Sequence, residues 1–506
     1  MKPTVALQLA LAGNRTDSAR VTLTALSVAL ATVAGLAALT VLAIPTPPGG
    51  PGNNDSAQYA NALLREPGLR GGTAIALLLL TIPVLTLAGQ CVRLGAPARD
   101  RRLAGLRLAG ATPGQVTRLV VLETGLASLV GTLVGLAVYL IGRVPLDQPD
   151  ARGRLPLPTD VLPSPVAIGA VVLGLPVLTG LVGAVLLRGV SATPFGVLRR
   201  TREHAPGPWA WVLLVAGLAT FASFGRVLDW FTVRHREPPV LLPPLLIAGG
   251  ATAAMVGVVL SSGWFSYTAG RLLHRYARRP AALLASRRLT TDPWAGSRTF
   301  AALLMAVLVG AGAAGLRASV HADIAVDRLT FQESNPNNAF YLRSIDLVDL
   351  AVGVAVAIAA GGLLVALVDG IVARRRAYAA LVATGVPRAT IGRAIAWQAI
   401  APAVPAIGLA LVVGFLLSRA VGGRPATGGG HSTMVCDAAR SVCDDPVARR
   451  PYLRLVEVPE VAVPPGVPVA QLAWIGAGAL VAVLVTVAVG LLFLRASTEL
   501  EELRAT

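Results

Sequence analysis

Apolar blocks of about 20 residues recur along this chain, and no other feature constrains its fold as strongly. Each block is about long enough to cross ~30 Å of hydrocarbon as a helix rising 1.5 Å per residue. Five run from Val21 to Ile44, Thr73 to Ala88, Leu119 to Ile141, Val166 to Leu187 and Trp209 to Phe224. Five more run from Leu241 to Trp264, Phe300 to Leu316, Leu350 to Val368, Ile395 to Leu417 and Leu472 to Leu494. The chain therefore reads as an all-α integral membrane protein with about ten transmembrane helices. Charged residues make up 14% of it, against about a quarter in a soluble domain, so little of the mass is left for polar-surfaced domains. The first block reads as a span and not a cleaved leader, because it is too long and lacks a lysine-rich start with a small-residue cleavage site.

Net charge is +18, and its placement decides what that means. With the N-terminus inside and ten alternating spans, the internal segments are 1–20, 93–118, 188–207, 266–298, 370–393 and 495–506. They hold 27 of the 44 Lys and Arg but only seven acids, whereas basic and acidic residues balance in the external loops. This is the positive-inside pattern. It places both termini in the cytoplasm and the protein in the inner (cytoplasmic) membrane. A nucleic-acid binder would need a folded basic domain with readout elements, and the sequence contains none. Lys2 is the only lysine. A G-x-x-x-x-G-K-[ST] loop needs a lysine to reach the phosphates, so this chain does not hydrolyse ATP through such a loop and no cofactor is expected in it.

The chain also repeats itself. Residues 101–123 read RRLAGLRLAGATPGQVTRLVVLE, and residues 376–398 read RAYAALVATGVPRATIGRAIAWQ. At a constant offset of 275, Arg101 matches Arg376, Leu106 matches Leu381, Gly110 matches Gly385, Val116 matches Ile391 and Glu123 matches Gln398. Each copy follows one span and leads into the next. Short amphipathic stretches at 6–20 and 282–298 open the two halves, the second with Asp292-Pro293 as a helix start. The plan is four spans, then two, then four. It divides the chain into 1–190, a two-span connector at 191–280, and 281–506. Six spans separate equivalent elements, so the repeat is parallel and its axis lies along the membrane normal.

Each copy carries the grammar of a short cytoplasmic helix, a glycine break and a membrane helix. In the first, Arg99, Arg101 and Arg102 precede Leu103 and Leu106 at helical spacing, and Gly110 suits a left-handed C-terminal stop. Thr112-Pro113-Gly114-Gln115 then reads as a capping box with proline at the first helical position. The second copy uses Arg374, Arg375 and Arg376, then Leu381, Gly385 and Pro387, with a poorer cap because Val386 is apolar. A charged connector that only sets topology accounts for the arginines but not for the repeated helix-break-helix order. A rigid elbow joined to a membrane helix is what a protein needs to receive a push from a cytoplasmic partner.

On these residues, above all Leu106 to Val116 with Glu123 and the second copy Leu381 to Ile391, the sequence resembles the FtsX-like permeases, the MacB-type or type VII ABC transporter fold. The resemblance implies a permease subunit with two FtsX-like halves, driven by separate ATP-binding subunits, expected as a dimer, which would hold the ATP and Mg. It implies coupling of ATP hydrolysis to export, extraction or force transmission. Carried over by position, the docking elements are Arg101 to Val116 and Arg376 to Ile391, with Arg375 beside the second. Glu123 and Gln398 fall near the bases of the following helices. The ten-span plan looks like the permeases of peptide-antibiotic detoxification systems. However, Arg317 to Leu347 is too short for their large external domain, and Pro45 to Gly71 is too short for that of the macrolide exporters.

The alternatives are a secondary transporter and a membrane scaffold that regulates an external partner. A transporter usually carries ionisable groups within its spans, whereas Glu123 and Asp369 lie near the span ends. The five histidines are scattered, with no H-E-x-x-H. Cys436 and Cys443 fall in the last external loop and are expected to pair as a disulfide in an oxidising compartment. A metal site with His431 is the other reading of that loop. Cys91 reads as a small buried hydrophobe. Six tryptophans, Trp209, Trp211, Trp230, Trp264, Trp294 and Trp474, sit near span ends as interfacial anchors for membrane lipids. The Pro- and Gly-rich stretches 45–52 and 420–430 read as flexible.

Overall fold

A computed structural model describes residues 15–45, 56–65, 105, 108–188, 207–236, 239, 242–330, 336–372, 374–438, 443 and 447–496, with scattered positions between 70 and 81. Helices dominate. The first group comprises α1 (Arg15–Ala43), the short α2 (Ala62–Arg65), α3 (Pro113–Leu146) and α4 (Pro165–Arg188). Helices α1 and α3 pack along each other, and α4 packs against both. Small residues set that approach: a Cβ on Gly135 would stand 2.6 Å from the Ala29 carbonyl oxygen, so only glycine lets the two backbones come this close. Hydroxyls in the interface are satisfied internally. Thr32 and Thr40 donate to the carbonyls of Val28 and Leu36 at 2.8 and 2.7 Å, and Thr179 donates to Ser128 at 2.6 Å. The span expected at Thr73–Ala88 lies mostly outside the described residues, as does Cys91; Thr73, Ala74, Leu77, Leu78 and Thr81 are helical.

The second group begins with the hairpin α5 (Trp209–Val233) and α6 (Leu242–Tyr276), followed by the short α7 (Pro280–Thr291). Then come α8 (Trp294–Leu329), α9 (Pro336–Val372), the short α10 (Arg375–Ala383), α11 (Arg388–Gly422) and, after two β-ribbons, α12 (Val469–Ala496). Helices α8, α9, α11 and α12 pack together, and α5 and α6 both lie against α11. Their shared core includes Leu304, Val307, Ala410 and Val413, with Ala254 and Val258 from α6 and Val483 from α12. The two-span connector is thus built into the second group. Among the described residues, no helix of the first group packs along one of the second. Among the described residues, eight helices are long and apolar enough to cross a membrane, and α4 adds a shorter apolar stretch, Pro165–Leu181. The architecture is that of an all-α membrane protein.

Several backbone features share the offset of the sequence repeat. Helix α3 starts at Pro113 and α11 at Arg388, the same offset of 275 that aligns the sequences. Contacts between α1, α3 and α4 recur between α8, α11 and α12. The positions matching Gly131 and Gly135 are Ala406 and Ala410, both buried.

Three expectations need correction. Residues 317–329 and 336–347 are helical: α8 runs on to Leu329 and α9 already begins at Pro336. Hydropathy ends a span at its first charges, but the backbone continues because those charges pair: Arg317 bonds Asp346 at 2.9 Å and Asp349 at 2.6 Å across the two helices. The stretch 420–430 is structured. Helix α11 reaches Gly422, β1 (Ala426–Gly428) pairs antiparallel with β4 (Val461–Val463), and β1 and β4 both pack on α8. Finally, Asp292 does not cap α8. It closes α7, while Pro293 occupies the N-cap position with no side-chain bond. Beyond β1, β2 (His431–Cys436) pairs antiparallel with β3 (Leu453–Val458), and the Cys436–Cys443 disulfide closes the end of β2 with Cα atoms 5.9 Å apart. No cluster of three or more His, Cys, Asp or Glu that would hold a metal occurs among the described residues.

Where α1 ends, the first group is closed by a polar cap. Arg70 is buried and donates to the carbonyls of Ile44 (3.0 Å), Pro45 (3.3 Å), Leu64 (2.8 Å) and Arg65 (3.3 Å), and to the Ser56 hydroxyl (2.7 Å). It thereby satisfies chain carbonyls just beyond the end of α1, which have no helical partner. Tyr59, fully buried, donates to Asp160 at 2.7 Å, and Tyr59 and Leu155 form a bridge between the two loops. Burial and the Asp160 carboxylate push the Tyr59 phenol up to about 12.

Candidate functional site

The two elbows lie at the arginine-rich end, and the second is described in full. Helix α10 ends in a Schellman motif: Gly385 N–H donates to the Val382 carbonyl and Val386 N–H to the Leu381 carbonyl, both at 3.0 Å. Gly385 has φ +92°, a left-handed conformation that any side chain would strain. Leu381 and Val386, the apolar positions that accompany such a motif, both pack on one buried cluster. Pro387 is then extended (φ −61°, ψ 136°), and α11 starts at Arg388 without a side-chain cap. Two helices are joined by only four residues.

What makes the joint rigid is the packing beneath it. Ile371 from α9 with Ile391 and Ile395 from α11 form a buried cluster. Tyr378, Leu381, Val382 and Val386 of the elbow sit on it together with Leu491 of α12. Arg288 of α7 donates to the Tyr378 hydroxyl at 3.4 Å. A displacement of α10 therefore loads α9, α11 and α12 together. Ile391 is 2% exposed, so it supports the elbow from inside and offers no surface. Thr384, Gly385 and Pro387 are exposed. Arg375 and Arg376 open α10, and Gln398 is half-buried on α11.

The first elbow shows the same turn. Gly110 has φ +92°, matching Gly385, and the Ala109 N–H donates back to Gly105 at 3.0 Å. The capping box is complete: Gln115 N–H donates to Thr112 Oγ1 at 3.4 Å, and Thr112 N–H donates to Gln115 Oε1 at 3.1 Å. Pro113 occupies the first helical position. Leu108 is 91% exposed, an apolar side chain standing off the helix just before the glycine. Glu123 is half-buried on α3. Arg101, Arg102 and Leu106 lie outside the described residues, and Val116 is described only as part of the α3 backbone.

With this geometry in view, the family comparison is informative. Residues 73–195 match the family of the FtsX-like permease C-terminal domain. Over that stretch the chain is similar to an FtsX-like permease domain. No curated protein and no solved structure matches it. The FtsX-like stretch contains the whole first elbow with α3 and α4, and ends before the second. Domains of this family are transport subunits and not themselves catalytic. Together with the apolar helices, this likeness to a permease domain indicates a multi-pass membrane protein.

The sequence marked Leu381 and Gly385 but not the bonds that close the Schellman motif between Leu381 and Val386. It gave no signal for Tyr378, which links the elbow to α7. Arg70 and Tyr59 had no signal beyond their place in a short loop, because their acceptors are distant in sequence or are backbone carbonyls.

Proposed function

We propose that this chain is the permease subunit of an ABC transporter of the MacB type, with two FtsX-like halves. A separate cytoplasmic ATPase dimer docks on its elbows at 101–116 and 376–391, and ATP and Mg belong to that partner. The observation that carries this reading is the duplicated left-handed glycine. Gly110 and Gly385 share φ +92°, and each stands three residues before a membrane helix. A chain with two matching elbows offers one docking site to each ATPase of a dimer, so one permease suffices per complex. ATP-driven motion of the ATPases would push α10 and its counterpart. The buried cluster under the second elbow would then tilt α9, α11 and α12 for export, extraction or force transmission. In this reading the arginine-rich end faces the cytoplasm with both termini, and the disulfide ribbon lies outside the inner membrane.

The test is affinity purification of the tagged full chain in mild detergent, with mass spectrometry of the proteins that come with it. Recovery of a Walker-motif ATPase, lost when the arginines of both elbows are replaced by glutamine, is the expected result. Purification without any ATPase from cells that express one would overturn the proposal.

A further inference from the structure

Adjoining the second elbow, whose Thr390 it shares, a groove of about 920 Å³ opens between the end of α6, the start of α7 and the first turns of α11. Its lining changes character along its length. At the arginine-rich end stand Arg278, Arg279 and Arg393, all exposed, and no acid lines the groove. None of the three is ion-paired among the described residues. From Arg393 the α11 wall continues through Trp397, Ile400 and Val404. These positions recur every three or four residues and so share one helix face. From Arg393 to Val404 that face descends about 16 Å, at 1.5 Å per residue. Leu272 and Leu273 of α6 form the opposite wall. Both helices are apolar enough to span a membrane here, yet Trp397 is 47% and Val404 49% exposed.

Cations at one end, a tryptophan below them and an apolar trough running on into the span are complementary to an amphiphile with an anionic head. We propose that this groove holds one anionic phospholipid of the cytoplasmic leaflet. Its phosphate lies among Arg278, Arg279 and Arg393, and an acyl chain lies along Ile400 and Val404. Basic pockets between membrane helices on this side are suited to such headgroups. A soluble protein is the poorer occupant, because the walls continue about 16 Å below the arginines. The lipid would bridge α6, α7 and α11 at the foot of the second elbow. The inference rests on the orientation given by the positive-inside pattern, and it stands whether or not an ATPase is recovered with the chain.

The experiment uses the full chain in lipid nanodiscs containing equal fractions of brominated phosphatidylglycerol or brominated phosphatidylcholine. Trp397 fluorescence is taken as the difference between the unaltered chain and Trp397→Phe. Each arginine near the surface favours an anionic lipid about fivefold. Quenching of Trp397 should therefore show a preference of tenfold or more for the anionic lipid. In the triple variant Arg278→Gln, Arg279→Gln, Arg393→Gln that preference should fall to near unity. Removing two exposed arginines outside the groove, Arg271→Gln with Arg287→Gln, should leave it in place and separates the site from general surface charge. Equal quenching by both lipids, or a preference that survives the triple variant, overturns the proposal. So does a preference abolished by millimolar inorganic phosphate, which would make this a free-anion site, or by a bound ATPase, which would make it a protein interface.

Discussion

Replacing Gly385 isolates the energetics of the elbow with unusual clarity. A Cβ built on Gly385 has no heavy atom within 4 Å, so a larger residue meets open space and the cost of substitution is conformational alone. At φ +92° an L-residue is strained by roughly 1–2 kcal/mol. Gly385→Ala should therefore weaken the closed elbow by about 1 kcal/mol, and Gly385→Val, with its stiff β-branch, by 2 kcal/mol or more. Asparagine tolerates this region better than other non-glycine residues, so Gly385→Asn should retain most of the stability. Hydrogen exchange reads these energies locally, because the amides of residues 385 and 386 are held only while the Schellman motif is closed. Opening energies lowered by about 1 and 2 kcal/mol should speed their exchange by roughly fivefold and thirtyfold. The double variant Gly110→Val, Gly385→Val should in addition uncouple ATP turnover from transport in the reconstituted complex. Exchange at residues 385 and 386 that is unchanged in Gly385→Val would refute the strain argument. Unchanged coupling in a correctly inserted double variant would refute the role of the elbows.

Other outcomes follow from the opposite end of the molecule. Arg70→Met leaves several buried carbonyls without a donor and should destabilise the first group by roughly 3–5 kcal/mol, seen as a lower midpoint of denaturant unfolding in detergent; Arg70→Lys should recover only part of it. Tyr59 is neutral in the fold with its pKa raised from 10 to about 12. Its contribution is therefore complete below pH 10 and lost as pH rises through about 12, so one tyrosine should ionise late in ultraviolet titration, and Tyr59→Phe should remove that late step. Reduction of Cys436–Cys443 by a membrane-impermeant phosphine should expose both thiols to an impermeant maleimide in intact cells; labelling only after lysis would reverse the orientation.

What the sequence disclosed depended on the range of the interaction. Spans, the parallel repeat and both elbow glycines follow from local pattern, because hydropathy, capping and left-handed stops are each set within a few residues. Among the described residues the structure has eight helices long and apolar enough to span, against ten expected; both elbow glycines take φ +92° three residues before α3 and α11. Span ends were less legible: Arg317 looked like the beginning of a loop until its partners Asp346 and Asp349 were found on the next helix. The ribbons were missed because their residues pair across 17 to 37 positions and contain turn glycines that also suit a linker. The docking of the connector onto α11 was invisible for the same reason. Nothing in residues 209–276 states which half they pack against, since apolar helix faces fit any lipid-like neighbour. At the candidate site, sequence marked the glycines and the arginines. It could not separate Ile391, which is buried under the elbow, from the exposed positions around it.

Among the described residues, α5 and α6 pack against α11 and not along α1, α3 or α4, which makes the two parts unequal. One part is a compact set of helices closed at one end by Arg70 and Tyr59. The other is a larger body with two extra helices built into its core. A push delivered equally to both elbows would therefore meet unequal resistance. The lighter part would swing, and the heavier one would serve as the anvil. A machine built from two copies of one idea would in this way gain a direction, with a moving jaw and a fixed one, although the elbows themselves are nearly alike.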